Sequence, residues 1–227
     1  VRLGRTPYRE CTDIQRRLLE ARIRGEVEDT LLLTEHDHVY TIGTGGGNEH
    51  LLASESELKN LRATVEPTDR GGDITYHGPG QIVAYPVIDL RNRCADLHRY
   101  LRDLEEVVVV ALKNFGVNGE RLHGYTGIWV GGEKICAIGI HCRNWVTMHG
   151  FALNVNTDLS YFGRIIPCGI FERGVTSLRE ILGEAVAQTT VETEIIRSWS
   201  EVFHTTVREQ ASADVLRQTV SGGEIPS

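Results

Sequence analysis

The sequence has no apolar run near the ~20 residues that a bilayer-spanning helix needs. It also has no internal repeat, no low-complexity tract and no Pro/Ser-rich linker. These absences exclude a helical membrane protein and a repeat array. They leave one domain over residues 1–227 as the expectation, with a softer tail after about residue 185. The start, VRLGRTPYRE, resembles neither a signal peptide nor a Ser/Arg-rich transit peptide, so a cytoplasmic location is expected. The five cysteines (11, 94, 136, 142 and 168) are odd in number and not closely paired. That argues against a disulfide framework and for a reducing compartment, where one thiol is available as a nucleophile. Positive charge is short too. The net charge of −7 speaks against nucleic-acid binding and means that an acidic partner needs a local basic patch.

What is present is 227 residues, 41% hydrophobic and 24% charged, the composition of a globular protein large enough to bury a core. TDIQRRLLEARIRG opens with Thr12 and Gln15 at capping-box spacing and closes at Gly25, predicting a helix. SESELKNL repeats the box at Ser54 and Glu57. TLLLTEHDHVYTIG holds two strand-like runs, and ITYH and IVAYPVIDL flank a GPG turn. The run from Ala95 to Phe115 contains VVVV, a strand signal. Leu97, Tyr100, Leu101, Leu104, Val108, Ala111, Leu112 and Phe115 nevertheless share one helical face, and helix prevails. GIWV, a GG turn and KICAIGIHC read as a hairpin, TMHGFALNV as a further strand, and SLREILG and VETEIIRSWSEVFHTTV as closing helices. Strands in runs rather than strict alternation with helices predict a mixed α/β (α+β) fold on a largely antiparallel sheet.

Four segments combine polar groups with glycine in a way no core requires. DRGGDITYHGPGQ surrounds Arg70, Tyr76, His77 and Gln81 with Gly71, Gly72, Gly78, Pro79 and Gly80. Such glycines let the main chain approach a ligand and aim amides at it, and an ordinary pair of hairpin turns is the alternative. GTGGGN, residues 43–48, lacks the Lys-Ser/Thr of a phosphate loop, so a mobile loop is the expectation. In KICAIG, Lys134 is either a solvated edge lysine or an amine poised beside a thiol. In RIIPCGIFERGVTSL, Pro167 and Gly169 flank Cys168. That setting suits a thiol presented on a tight turn with amides free for an oxyanion, while a small buried residue is the alternative. Cys136, His141, Cys142 and His149 do not have zinc-ligand spacing, so no metal is expected. His77 and His149 are candidate partners for a thiol.

Together, RGGDITYHGPGQIVAYPVIDL, KICAIGI, HGFALNVNTDLSYF and IPCGI…GVTSL resemble, in order and spacing, the octanoyl-[acyl-carrier-protein]:protein N-octanoyltransferases of lipoate biosynthesis. The likeness runs from about Thr30 to Leu182. Two positions depart from the family pattern: Cys136, where a small residue such as alanine is usual, and GTGGGN, where an arginine commonly follows YT-x-G. The resemblance implies a fold of the biotin/lipoyl-ligase type, with sheets flanked by helices. It implies Cys168 as the acyl-thioester nucleophile and Lys134 as its activating partner. It also implies substrate-binding stretches over Arg70, Gly71, Gly72, Asp73, Ile74, Thr75, Tyr76 and His77, over Ala137, Ile138 and Gly139, and over Gly150, Phe151 and Ala152. The implied donor is octanoyl-acyl carrier protein, and the implied acceptors are lipoyl domains of 2-oxo acid dehydrogenases and the glycine cleavage H protein. No ATP, metal, nucleic acid or membrane is implied. The carrier is acidic, so clustered arginines such as Arg121 or Arg143 are candidates for docking it. The rival readings are an ATP-dependent lipoate–protein ligase, a thioesterase and a non-catalytic acyl-binding module.

Overall fold

The computed structural model of the protein describes residues 1–166 and 173–211. Among these residues the strand-like runs form two sheets. The larger has seven strands in the order β1 (Arg2–Arg5), β2 (Thr30–Glu35), β6 (Gln81–Val87), β10 (Val146–Asn154), β9 (Glu133–Arg143), β8 (Tyr125–Val130) and β7 (Glu120–Leu122). Its β1–β2 pair is parallel and every other neighbouring pair antiparallel. The smaller sheet runs β4 (Thr64–Pro67), β3 (Val39–Ile42), β5 (Ile74–His77), with β3 parallel to β4 and antiparallel to β5.

The continuous apolar character of β6 follows from burial on both faces, since all seven of its residues are buried. Side chains alternate across a strand, and two apolar clusters divide accordingly. Val83, Tyr85, Val87 and Ala152 pack with Cys11, Ile14, Leu18 and Leu19 of α1 (Tyr8–Ile23). Ile82, Ala84, Phe151 and Leu153 pack with α3 (Leu97–Lys113) and α5 (Gln188–Val202). α3 is the helix that VVVV disguises. Asp96 caps it by accepting from the amides of His98 and Arg99, and Leu104, Val107, Val108, Ala111 and Leu112 are buried along one side. The short α2 (Glu55–Asn60) carries the predicted capping box at Ser54 and Glu57, and α4 (Leu178–Leu182) precedes α5.

One expectation changes and one alternative is removed. Helix α1 starts at Tyr8, not Thr12. Pro7, with φ −54°, introduces it, and the Thr12 hydroxyl donates back to the Tyr8 carbonyl from inside the helix. Strands β5 and β6 are not a hairpin. Gly80 adopts φ +83° and packs against Asn156, whose amide donates to the Gly80 carbonyl at 2.8 Å. A Cβ there would lie 2.6 Å from Asn156 backbone, so only glycine lets the chain cross from the small sheet to the large one. Beyond residue 185, Val191, Ile195 and Trp199 of α5 belong to the main core. No helix among the described residues is long and apolar enough to cross a membrane.

Candidate active site

The three stretches singled out by sequence meet at the middle of the larger sheet. Ala137, Ile138 and Gly139 on β9 are the register partners of Ala152, Phe151 and Gly150 on β10. The turn from Arg70 to Asp73 lies against them, with the Gly71 amide donating to the Ile140 carbonyl at 2.9 Å. A Cβ on Gly139 would come within 2.7 Å of the Gly71 carbonyl oxygen, so the absence of a side chain is what lets turn and strand touch. Between them lies a cavity of about 490 Å³, within the range of roughly 300–1,000 Å³ usual for small-molecule sites. Arg70, Gly71, Gly72, Asp73, Ile74, Thr75 and His77 line it, as do all six of the β9 and β10 residues just named. Tyr76 does not. It is fully buried in the smaller sheet's cluster, and its hydroxyl pairs with His38 Nδ1 at 2.8 Å.

The GTGGGN segment is no free loop. Thr44 and Gly45 donate to the carbonyls of Arg70 and Gly72 at 3.0 Å, and a Cβ on Gly43 would sit 2.3 Å from the Gly72 oxygen. Arg70 is held from the same side, its guanidinium donating to the Thr41 carbonyl at 2.7 Å. The glycines of 43–48 therefore serve the shape of the cavity turn.

Lys134 lines the same cavity and is half-buried. Its Nζ stands 4.7 Å from the centre of the Trp129 ring, a cation–π distance. The Gly131-Gly132 turn pairs Val130 with Glu133 and Trp129 with Lys134, so this contact was readable from the hairpin register although the sequence reading missed it. A bulge follows at once: Ile128 pairs with Cys136, two positions beyond Lys134. Bulges re-aim side chains beside functional sites. On its other side the Lys134 amide donates to the Gly174 carbonyl, and the Thr176 amide donates to the Lys134 carbonyl, both at 3.0 Å. Cys168 lies outside the described residues, and residues 174–176, which follow it in the chain, pair with Lys134.

Two of the other thiols are unsuited to nucleophilic use. Cys11 and Cys136 are fully buried; burial pushes the Cys11 pKa up to about 12 and raises that of Cys136 further. His77 and His149 both line the cavity. His77 donates from Nδ1 to Gln81 Oε1 at 2.8 Å, and burial drives its pKa well below the usual value, helped by the nearby His36 and Arg70. His149 donates from Nε2 to Asp69 Oδ1 at 2.7 Å. That bond brings the Asp69 pKa down to about 2, while burial keeps His149 on the neutral side. Tyr8 and Tyr85, also unanticipated, complete this polar end. Arg121 and Arg143 are engaged in ion pairs, with Glu105 and Glu106 and with Glu20 respectively.

A mixed sheet flanked by helices, with a lysine-bearing cavity against its central strands, is the fold shared by lipoate-protein ligases and biotin protein ligases. Lipoate-protein ligase A bound with ATP superposes with a TM-score of 0.76 at 22% identity, covering 96% of this chain and 90% of that one. The biotin protein ligase of Aquifex aeolicus in complex with biotin and ATP follows at 0.54 and 16% identity, over 90% and 69% of the two chains. The chain belongs to the lipoyl protein ligase A/B catalytic domain family, which it matches over residues 7–200. Among its curated relatives are the octanoyltransferases of Rubrobacter xylanophilus, 54% identical over 88% of this chain and 90% of that protein, and of Chloroflexus aurantiacus, 47% identical over 93% and 96%. The chain is accordingly an acyltransferase of this family.

Proposed function

We propose that the protein moves an octanoyl group from octanoyl-acyl carrier protein to a lysine of a lipoyl domain, through an acyl thioester on Cys168. The observation that carries this reading is the position of Lys134. It lines the cavity while its backbone pairs with residues 174–176, directly after the segment that holds Cys168.

The Cys168 sulfur attacks the donor's thioester carbonyl. The new C–S bond forms as the bond to the phosphopantetheine sulfur breaks, and that sulfur leaves as a thiol with the proton given up by Cys168. Lys134 favours the thiolate. The octanoyl chain is drawn from water into the cavity, where Ile138, Phe151 and Trp129 offer apolar wall at ~0.8 kcal/mol per buried CH2. The acceptor lysine then attacks the Cys168 thioester. A C–N bond forms, the C–S bond breaks, and Lys134 passes the amine's proton on to the departing sulfur. Exchange of one thioester for another is nearly neutral and amide formation is downhill, so the cycle needs no ATP.

The test is intact mass after mixing with octanoyl-carrier protein, for wild type and Cys168→Ala, followed by addition of lipoyl domain without ATP. Wild type should gain one octanoyl mass and then pass it on, and Cys168→Ala should gain none. Transfer that stops without ATP identifies a ligase instead, and release of free octanoate without acceptor identifies a thioesterase.

A further inference from the structure

Two backbone clamps bracket residues 167–172. The one after the segment is Lys134 with residues 174–176. The one before it is made by residues 50–52. The Ile166 amide donates to the His50 carbonyl and the Leu52 amide to the Arg164 carbonyl, each at 2.9 Å, while Leu51 and Ile165 face each other as an antiparallel bridge. His50 is thus the residue that holds the chain at its last described position before Cys168.

The side chain of His50 reaches the other way, into the cavity turn. Its Nδ1 stands 2.7 Å from Asp73 Oδ2 and 2.8 Å from Oδ1. Asp73 lines the cavity, its side chain only 5% exposed, and its Oδ1 also accepts the Ile74 amide at 2.6 Å. One residue therefore joins the segment that leads to the proposed nucleophile with the turn that shapes the proposed acyl site. His50 is itself partly exposed and lines no part of the cavity, so its contribution is geometric. The hydrogen bond to Asp73 raises the His50 pKa, extending the charged form of the pair toward neutral pH.

We propose that His50 is a positioning residue for the acylation step, registering residues 164–166, which lead to Cys168, against the Asp73 turn. This rests on the Cys168 reading above. Errors of about 1 Å in the placement of reacting atoms cost up to ~100-fold in rate, so loosening this tie should act on the rate of acylation.

The experiment compares wild type, His50→Ala and His50→Asn. It measures the rate of octanoyl-mass gain against octanoyl-carrier protein concentration, with thermal unfolding alongside. His50→Ala should lower the limiting rate by about 10-fold or more while changing the half-saturating donor concentration by less than about 3-fold. His50→Asn carries an amide N–H where Nδ1–H stood and should recover most of the rate. A wild-type limiting rate in His50→Ala overturns the proposal. So does a rate in His50→Asn as low as in His50→Ala with equal losses of thermal stability, since that marks a purely structural role. Absence of octanoyl mass on wild type removes the Cys168 reading itself, a result seen before any variant is compared.

Discussion

Lys134 owes its place to two local devices, a Gly-Gly turn that sets its register opposite Trp129 and a bulge immediately after it, and to backbone pairing with the distant residues 174–176. An amine so held can accept and return a proton at one point in space. Replacing it with methionine keeps the apolar stem over Trp129 and removes the amine. Lys134→Met should therefore lower octanoyl transfer by about 100-fold or more while leaving the thermal midpoint within a few degrees. Steady-state rates with a lipoyl-domain acceptor and a melting curve decide it. Equal losses of activity and stability would make Lys134 a packing residue. Of the site, the glycine-rich turn over 70–77 and Lys134 drew attention on residue grounds alone, with a hairpin turn and an edge lysine as their alternatives. The stretches over 137–139 and 150–152 came only from the family resemblance. Tyr8, Tyr85 and Trp129 were not legible, since an aromatic on an amphipathic element looks the same whether it faces core or cavity.

At the scale of elements, the loop over 43–48 and the turn over 70–73 behave as one piece. Gly43→Ala would drive a Cβ to within 2.3 Å of the Gly72 oxygen and 2.7 Å of Arg70 Nη1. The backbone has to shift, at an overpacking cost of about 1–3 kcal/mol, and octanoyl transfer should fall with it. Wild-type activity in Gly43→Ala would show that the turn's shape is irrelevant to the chemistry. Helix α3 allows a cleaner measurement. Leu112 is fully buried, whereas Leu97 at its first turn is 36% exposed. Leu112→Ala should lower stability by about 2–5 kcal/mol and Leu97→Ala by less than ~1 kcal/mol, read from denaturant midpoints. The helical period of α3 was visible in spite of VVVV because its apolar positions repeat at three and four. The start of α1 was missed because a capping-box spacing at Thr12 imitates a helix start, while Pro7 supplies the real one.

The whole molecule carries an electrostatic liability in its buried imidazoles. His36 and His77 are almost wholly enclosed. Burial lowers the His36 pKa to about 4, and burial with nearby positive charge takes His77 well below its usual value. Both are neutral in the native state and titrate near 6.5 once unfolded. The unfolded chain therefore binds more protons below that pH, and stability is complete above about 6.5 and lost as pH falls toward 4. Each group removes up to ~1.4 kcal/mol per pH unit inside that window. His50, whose pKa is raised, runs in the opposite direction, but it is solvent-exposed and weak by comparison. Thermal midpoints should drop steadily from pH 7 to pH 5, and midpoints that rise over that interval would contradict the assignment of neutral buried histidines.

The strands and most of the helices were determined by the sequence by itself. Periodicity, glycine placement and capping are local quantities, set by residues within a few positions of one another. Tertiary structure alone decided which strands share a sheet. The crossing at Gly80 depends on Asn156, some seventy-five positions away. It also decided that the 43–48 loop is bound to the 70–73 turn, that Tyr76 faces away from the cavity, and that His50 ties Asp73 to the chain before Cys168. Each of these rests on contact between segments distant in sequence. No local pattern encodes such contacts, because the free energy that selects them arises only when the whole core closes.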